Sequence, residues 1–316
     1  MQSIYNGYIK TINSLKKGDT IMLLSTQTDR VFKVLSIDDG LKLFKRVGYD
    51  ALDYSMFGMT NDGFFLNNCD VEAFAKELRE KAEALGLKWN QAHAPFPCWR
   101  ANDEAYNEKI MPRVENAIRI AGILGCDSIV VHPIAYTTKG DPQKEVNYAM
   151  YRSLAPIALE YGTKIALENM WGHDKRRGYI VPNVCSFGKD LAEYYDELNN
   201  PDAFTVCLDL GHSGLVGEEP DDAIRALGKN RLGALHIHDN DYKSDAHTLP
   251  YERGCSMNWD NITKALGEID YQGDFTYEAD RFLERFDETN IEIGMNHMVA
   301  VARMLMEKID AARPQA

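Results

Sequence analysis

A short run of apolar or β-branched residues recurs along the chain, and each run ends in polar side chains. An amphipathic segment follows most of these runs, with apolar positions spaced for one helical face. The segment 70–86 is an example, because Val71, Phe74 and Leu78 share a face and Gly86 ends the helix. The runs predict eight strands, at 21–26, 51–56, 88–96, 128–133, 164–170, 204–212, 232–241 and 274–280.

Strands that alternate with helices build a parallel sheet. Eight such units favour a closed (β/α)8 barrel over an open, doubly wound sheet, and no Gly-x-Gly-x-x-Gly sequence follows the first strand to indicate a dinucleotide site. No stretch rich in glycine, proline or serine divides the chain. We therefore predict an α/β fold with one barrel domain at 20–316, preceded by a short N-terminal extension at 1–19.

The composition narrows the expected partners. The 316 residues are 45% hydrophobic, which is enough for a large core, and 48 acidic against 35 basic residues give a net charge of −13. A negative field of this size repels phosphate backbones, so nucleic acid is not an expected partner. Cations and small polar substrates are compatible with it.

Cysteine usage and hydropathy indicate the compartment. The six cysteines are scattered and form no Cys-x-x-Cys pair, which argues against a disulfide framework and for a reducing environment. No window approaches 18 apolar residues, and the N-terminus lacks the pattern of a cleaved leader. We expect a cytoplasmic protein without a membrane partner, and the sequence leaves open whether it forms a homo-oligomer.

Ionisable side chains lie at the ends of the predicted strands, the face on which (β/α)8 barrels build active sites. Glu168, Asp209, His238 and Glu278 end four successive strands, separated by 41, 29 and 40 residues, and each gap suits one βα repeat. Carboxylates this close would repel one another unless a cation lay between them. We predict these four residues as ligands of one divalent cation, for which the oxygen-rich donors favour Mn²⁺, with Mg²⁺, Co²⁺ or Zn²⁺ as alternatives.

The stretch HIHDND at 236–241 offers two histidines to this site. Residues two apart on a strand face the same side, so His236 lies deeper in the barrel and His238 nearer its mouth. We assign the ligand role to His238, and to His236 a hydrogen-bonding role in the core or behind the ligands.

The ordered stretches QAHAPF, VVHP, ALENM, LDLGH, HIHDND and YEAD resemble the xylose isomerase-like TIM-barrel superfamily over residues 20–305. The resemblance is to its sugar phosphate isomerase/epimerase branch, which is related to endonuclease IV. It implies that Glu168 and Glu278 act as the catalytic acid/base pair on opposite faces of a bound sugar. It also implies that His212 contacts substrate hydroxyls.

The residues fit this chemistry. A divalent cation chelated by a ketone and a neighbouring hydroxyl acidifies the C–H between them and stabilises the enediolate. Return of the proton from the opposite face epimerises the carbon, return to the adjacent carbon isomerises the sugar, and loss of a β-hydroxyl dehydrates it. We expect a metal-dependent isomerase or ketose 3-epimerase of carbohydrate metabolism, acting on a sugar or polyol.

Two alternatives stay open beside it. A lyase or dehydratase on a keto-sugar, keto-inositol or keto-glycoside would use the same site. A metal-binding barrel that serves only as a partner subunit is disfavoured by the two intact glutamates.

Endonuclease IV, with its trinuclear site, is a further alternative. Each of its nine ligand types has a candidate in this chain, namely His93, His132, Glu168, Asp209, His212, His238, Asp245, His247 and Glu278. The resemblance therefore admits an additional metal at Asp245 and His247 and a phosphodiesterase activity, which the net charge disfavours. In a sugar enzyme, His93, His132, Asp245 and His247 become candidates for substrate contacts or for loop structure.

Two further residues are candidate substrate contacts. Trp171 follows ALENM and could stack on a sugar face or pack in the core. Arg281 follows the last predicted ligand strand and could bind a phosphate or a carboxylate, although surface ion pairing is favoured.

Overall fold

Eight parallel strands form the barrel of the computed structural model, which describes residues 22–135 and 143–314. The strands are β1 (Leu24–Thr26), β2 (Ala51–Ser55), β3 (Lys88–His93), β4 (Ser128–Val130), β5 (Lys164–Glu168), β8 (Phe204–Asp209), β9 (Leu232–His236) and β10 (Phe275–Tyr277). Each of them lies within a predicted run, so the eight predicted strands are confirmed. The predicted N-terminal extension at 1–19 lies outside the described residues.

Hydrogen bonds link the strands into a closed ring. Six strands pair in the order β2-β3-β4-β5-β8-β9, and β1 pairs with β10. Two isolated parallel bridges join these sheets, because Gln27 pairs with Asp53 and Ile237 pairs with Tyr277. The predicted (β/α)8 barrel is therefore the observed fold, and all eight strands present their carboxyl ends at one face.

Helices follow the strands and surround the barrel. The α-helices are α1 (Asp29–Val34), α2 (Ile37–Val47), α3 (Val71–Ala84), α4 (Glu104–Leu124), α5 (Gln143–Tyr161), α6 (Gly188–Leu198), α7 (Leu210–Leu215), α8 (Pro220–Leu227), α9 (Trp259–Glu268), α10 (Asp280–Leu283) and α11 (Ile291–Ala311). Short 3₁₀ helices lie at Phe57–Thr60 and Phe65–Asn67. The helix predicted over 70–86 corresponds to α3.

Helix α2 shows how the local sequence sets the limits of an element. The Ser36 hydroxyl accepts a hydrogen bond from the Asp39 N–H and caps the start of the helix. Gly48 ends the helix with φ of 105°, a left-handed conformation that costs glycine little. The chain then turns and enters β2 within three residues.

The core has two parts. The larger part lies between the strands and the surrounding helices. A smaller layer lies inside the barrel and consists of one small side chain from each of four neighbouring strands, namely Val130, Ala166, Cys207 and Ala234. This layer forms a floor beneath the mouth of the barrel.

A hairpin that the sequence pattern did not predict follows β5. Its antiparallel strands are β6 (Trp171–Asp174) and β7 (Tyr179–Pro182), and its turn carries the basic residues of 174–178. The strands have four residues each and mixed polarity, so they lack the alternation that identifies a strand.

All six cysteines are free. Within the described parts of the chain, no helix has both the length and the apolar character needed to cross a membrane.

Candidate functional site

A layer of ionisable side chains lies directly above the floor of the barrel. Residues two apart on a strand face the same side, so Glu168, Asp209 and His236 point inward, each two positions after a floor residue. Glu278 follows β10 and completes the layer. Each of the four residues offers one ligand atom, and these atoms lie within 4.8 Å of one another. Three carboxylates and one imidazole from four strands therefore meet at a buried point.

The His236 imidazole lies between the two glutamates. Its Nδ1 is 2.8 Å from Glu168 Oε1 and 3.0 Å from Glu278 Oε2. Asp209 Oδ2 lies 4.0 Å from the same nitrogen. Ligand atoms that share one ion are separated by distances of this order, because each lies about 2.0–2.2 Å from the metal.

A register shift between β8 and β9 sets which residue of β9 lies opposite Asp209. The strand ladder skips Gly233, and as a result Asp209 lies opposite His236. The sequence pattern predicted His238 for the ligand position and a supporting role for His236. The structure places His236 in the layer with the three carboxylates and His238 against both oxygens of Asp209, so the ligand role of His238 stays a prediction.

His238 belongs to a second group beside this layer. Its Nε2 is 3.0 Å from each carboxylate oxygen of Asp209. Its ring stacks on that of His247, with the centroids 4.1 Å apart. His212, His238, Asp245 and His247 offer ligand atoms that also lie within 4.8 Å of one another. Asp209 therefore stands between two sets of metal-binding side chains.

Asp245 holds two imidazoles of the second group. Its Oδ1 is 3.1 Å from His247 Nε2 and 3.8 Å from His212 Nε2. Burial opposes a charge on His212, but the negative charges of Asp209 and Asp245 outweigh it and raise the His212 pKa to about 10. Burial likewise opposes a charge on His247, and Asp245 outweighs it and raises the His247 pKa to about 9. Both imidazoles therefore carry a proton at neutral pH when no cation is bound.

A third group shares Glu168 with the first. His132 Nε2 lies 2.5 Å from Glu168 Oε2 and 3.0 Å from His93 Nε2. Burial lowers the pKa of His132, against the opposing effect of Glu168. Burial would raise the pKa of Glu168, but His236 and His132 outweigh it and hold that pKa well below its ordinary value. Glu168 is therefore ionised in both groups.

Aromatic rings border the groups at the mouth of the barrel. Phe57 packs on His93 and Phe96 packs on His132, each with ring centroids 4.3 Å apart. Phe96 is 44% exposed although it is a large apolar side chain. Trp171 is half-buried, with its ring centroid 6.5 Å from that of His212. The predicted Trp171 thus lies near the site, and the two phenylalanines were not predicted.

The guanidinium of Arg281 has a different partner from those expected. It donates to the backbone carbonyl of Asp245 over 2.9 Å. Arg281 therefore braces the loop that carries Asp245.

Two amide side chains of the site were also missed. Gln27 Nε2 donates to Glu278 Oε1 over 2.6 Å. The Asn169 side chain donates to the Asp209 carbonyl over 2.9 Å and accepts from the Asp209 N–H over 2.7 Å. Both residues directly follow a barrel strand. The charged site residues were predicted from their position at strand ends, and the same criterion applied to amides would have identified Gln27 and Asn169.

The residues present fit a divalent cation on chemical grounds. Glu168, Asp209 and Glu278 concentrate three carboxylates in a buried volume, where unbalanced negative charge is costly. His236 adds one nitrogen donor to these oxygens. Imidazole and carboxylate are donors that Mn²⁺, Co²⁺ and Zn²⁺ all accept.

Comparison with known proteins agrees with the barrel fold. Among curated proteins, the "Probable ketose 3-epimerase" of Synechocystis sp. is 26% identical over 195 residues, which are 60% of this chain and 59% of that protein. A solved structure of L-ribulose 3-epimerase has a TM-score of 0.70 at 16% identity, covering 92% of this chain and 96% of that one. The structure of the IolI protein with a zinc atom has a TM-score of 0.67 at 17% identity, covering 93% and 100% of the two chains. At sequence identities this low, the structural similarity establishes the fold alone.

The family is shown by a match of a family model to most of the chain. A model of the family described as "Xylose isomerase-like TIM barrel" matches residues 41–300. That range covers most of the chain and contains all four strands that supply the central layer. The chain therefore belongs to the xylose isomerase-like TIM-barrel family.

Proposed function

We propose that the protein is a divalent-metal-dependent sugar isomerase or epimerase of the ketose 3-epimerase kind, with a small sugar or polyol as its substrate. The observation that carries this proposal is the meeting of Glu168, Asp209, His236 and Glu278 at one buried point at the mouth of the barrel. The comparisons support it, because structures that share the fold include D-psicose 3-epimerase and L-ribulose 3-epimerase.

Glu168, Asp209 and Glu278 are proposed metal ligands. The fourth proposed ligand is a histidine, either His238, as the sequence pattern predicts, or His236, whose Nδ1 lies against both glutamates. A divalent cation bound there would polarise a substrate ketone and acidify the neighbouring C–H bond. Mn²⁺ is the ion we propose from the donors, with Mg²⁺, Co²⁺ and Zn²⁺ as alternatives. The group that contains Asp245 and His247 is the candidate for an additional cation.

Glu168 and Glu278 are the proposed acid/base pair. Both carboxylates lie within 3.0 Å of His236 Nδ1, and the resemblance to the epimerase branch implies that they act on opposite faces of a bound sugar. One carboxylate removes the proton, and the other side chain returns a proton to the opposite face. Gln27 holds Glu278 and His132 holds Glu168, which restricts the movement of both carboxylates.

Side chains around the layer are the proposed substrate contacts. The ring nitrogens of His93, His132, His212 and His247 offer hydrogen bonds to hydroxyl groups. Trp171 offers an aromatic surface to the C–H face of a sugar. We propose a supporting role for Arg281, because its guanidinium is engaged with the Asp245 carbonyl.

A phosphodiesterase is the second candidate, and a specific arrangement favours it. The central layer is flanked by two further groups, one of which shares Glu168 with it, so that several cations could lie side by side. The net charge of −13 argues against a polyanionic substrate. We therefore rank this activity below the sugar reaction.

The test is turnover of a panel of ketoses by the Mn²⁺-loaded protein in D₂O. Epimerisation or isomerisation is expected to incorporate one solvent deuterium into the product without loss of water, whereas a lyase product is lighter by one water. Glu168→Gln and Glu278→Gln should each lower turnover by about 100-fold or more, because each removes a proton-transfer group. Glu307→Gln, at an exposed position of α11, is the matched control and should behave like the unaltered protein.

The same protein is assayed on DNA that contains an abasic site, and its metal content is measured. Cleavage of that DNA, with no deuterium incorporated into any ketose, would overturn the sugar reaction in favour of the second candidate. Undiminished turnover by the Glu168→Gln variant would overturn the assignment of the acid/base pair.

A further inference from the structure

A phenylalanine at the mouth of the barrel is exposed beside the proposed catalytic residues. Phe96 lies in the loop between β3 and α4, and 44% of it is exposed. Its ring packs edge-on against the His132 imidazole, with the centroids 4.3 Å apart. The same imidazole has its Nε2 2.5 Å from Glu168 Oε2. One ring therefore separates an exposed apolar side chain from a proposed acid/base residue.

Phe96 ends a continuous row of four rings. The Phe57 ring packs on His93 with the centroids 4.3 Å apart, and the His93 ring packs on His132 at 4.6 Å. The rings come from the carboxyl ends of three neighbouring strands, β2, β3 and β4, and from the segments that follow them. We call Phe57, His93, His132 and Phe96 the aromatic row.

The middle and the ends of the aromatic row offer different contacts. The two imidazoles in the middle carry nitrogens that can bond to hydroxyl groups. The two phenyl rings at the ends carry no hydrogen-bonding atom. A hydroxyl group placed against Phe96 would lose water without a replacement, whereas an apolar group would gain from the same contact.

The loop that carries Phe96 is held in place. A proline precedes Phe96 and another follows it, which restricts the backbone on both sides. The Tyr106 hydroxyl donates to the Pro97 carbonyl, and Cys98 Sγ donates to the His132 carbonyl over 3.1 Å. Phe96 is thus fixed in its exposed position before a ligand binds, so contact with a ligand costs little conformational entropy.

We propose that Phe96 is a specificity-determining residue and that the substrate is a keto-sugar with an apolar substituent away from its reacting carbons, which lies on the aromatic row. The inference rests on the proposed function, because Glu168 fixes where the reacting carbons lie. The substituent is either the terminal methyl group of a deoxy-ketose or the apolar aglycone of a keto-glycoside. Both present C–H groups to Phe96 where an unsubstituted sugar presents a hydroxyl.

The test is kcat/KM of the Mn²⁺-loaded protein for two matched pairs of substrates. One pair is a ketohexose and its 6-deoxy form, and the other is 3-keto-glucose and its phenyl glycoside. In at least one pair the substituted form should have a kcat/KM about 10-fold higher or more, because one apolar carbon in a fitted site is worth about that much. The pair that shows the preference identifies the methyl group or the aglycone.

Variants of Phe96 link the preference to the aromatic row. Phe96→Ala should abolish the preference and leave kcat/KM for the unsubstituted sugar unchanged, whereas Phe96→Leu should retain part of it. Phe65→Ala is the matched control, because Phe65 is 45% exposed but packs on Phe64 and Phe74. That variant should keep the full preference. Equal or lower values for both substituted forms, or a preference that Phe96→Ala retains, overturn the inference.

Calorimetric titration with the same four sugars separates this inference from the proposed function. Tighter binding of a substituted form that Phe96→Ala abolishes, without turnover of any sugar, keeps the role of Phe96 and overturns the sugar reaction. Turnover without a preference overturns only the role of Phe96. Neither turnover nor a preference in binding overturns both.

Discussion

At the scale of single residues, the arrangement of the site depends on which of two histidines meets the carboxylates. His236 and His238 face the same side of the chain, so alternation along a strand cannot choose between them. In the structure, His236 Nδ1 lies against both glutamates, whereas His238 Nε2 lies against both oxygens of Asp209. This geometry favours His236 as a ligand of the proposed central cation, with His238 holding Asp209.

The two histidines should therefore respond differently to replacement. His238→Ala removes a partner of Asp209 and should weaken binding of the central cation by roughly 10- to 100-fold. His236→Ala removes a ligand and should weaken binding beyond that range. Titration of each metal-free variant with Mn²⁺ in a calorimeter measures the difference. Loss of binding in His238→Ala with near-normal binding in His236→Ala would return the ligand role to His238.

At the scale of elements, helix α7 connects the central layer to the second group. The Asp209 carboxylate accepts a hydrogen bond from the His212 N–H over 2.7 Å, so one predicted ligand also caps the helix. Gly211, in the first turn, faces the His238 ring so closely that an added Cβ would lie 2.0 Å from its Cε1. A short helix therefore packs against His238 and sets its distance from Asp209.

Gly211→Ala should displace the His238 ring and leave His236 in place. A methyl group forced into this buried contact should cost about 1–3 kcal/mol of unfolding free energy. Urea unfolding measures that cost, and the histidine NMR signals report which ring moves. Gly63→Ala is the control, because its added Cβ would meet only Asn61 Oδ1 at 3.6 Å. A shift of His236 signals with His238 unmoved would contradict this account of the helix.

The strands also show which features of the fold and the site could be predicted from the sequence. The eight strands were predictable because each buried run is bounded by polar residues and followed by a helix. The pairing of Asp209 with His236 was not predictable, because the skipped residue Gly233 reflects a tertiary contact in which an added Cβ would lie 2.2 Å from Thr205 Oγ1. Gln27 was overlooked because only charged strand ends were considered.

At the scale of the whole molecule, the closed ring of strands gathers acids and histidines from distant parts of the chain. Asp245 and His247 lie in the loop after β9, and they meet His212, which follows β8, because β8 and β9 are neighbours in the barrel. Asp245 is partly shielded from solvent, and its imidazole partners hold its pKa well below the ordinary range despite burial. The unfolded chain loses this arrangement, so the protons on the two histidines are linked to folding.

The stability of the metal-free protein should therefore depend on pH in a predictable direction. The ordinary histidine pKa is about 6.5, and His212 and His247 have pKa values raised to about 10 and about 9 in the folded protein. Between these values the folded state binds more protons than the unfolded state. The stabilisation is complete below about pH 6.5 and is lost as pH rises through 9 and 10.

The midpoint of thermal unfolding of chelator-treated protein should fall over that range, and His247→Gln should flatten the fall because it removes one of the two titrating groups. Other groups also titrate there, so the difference between the two proteins is the measured quantity, and identical pH profiles would mean that the raised pKa of His247 contributes nothing to folding.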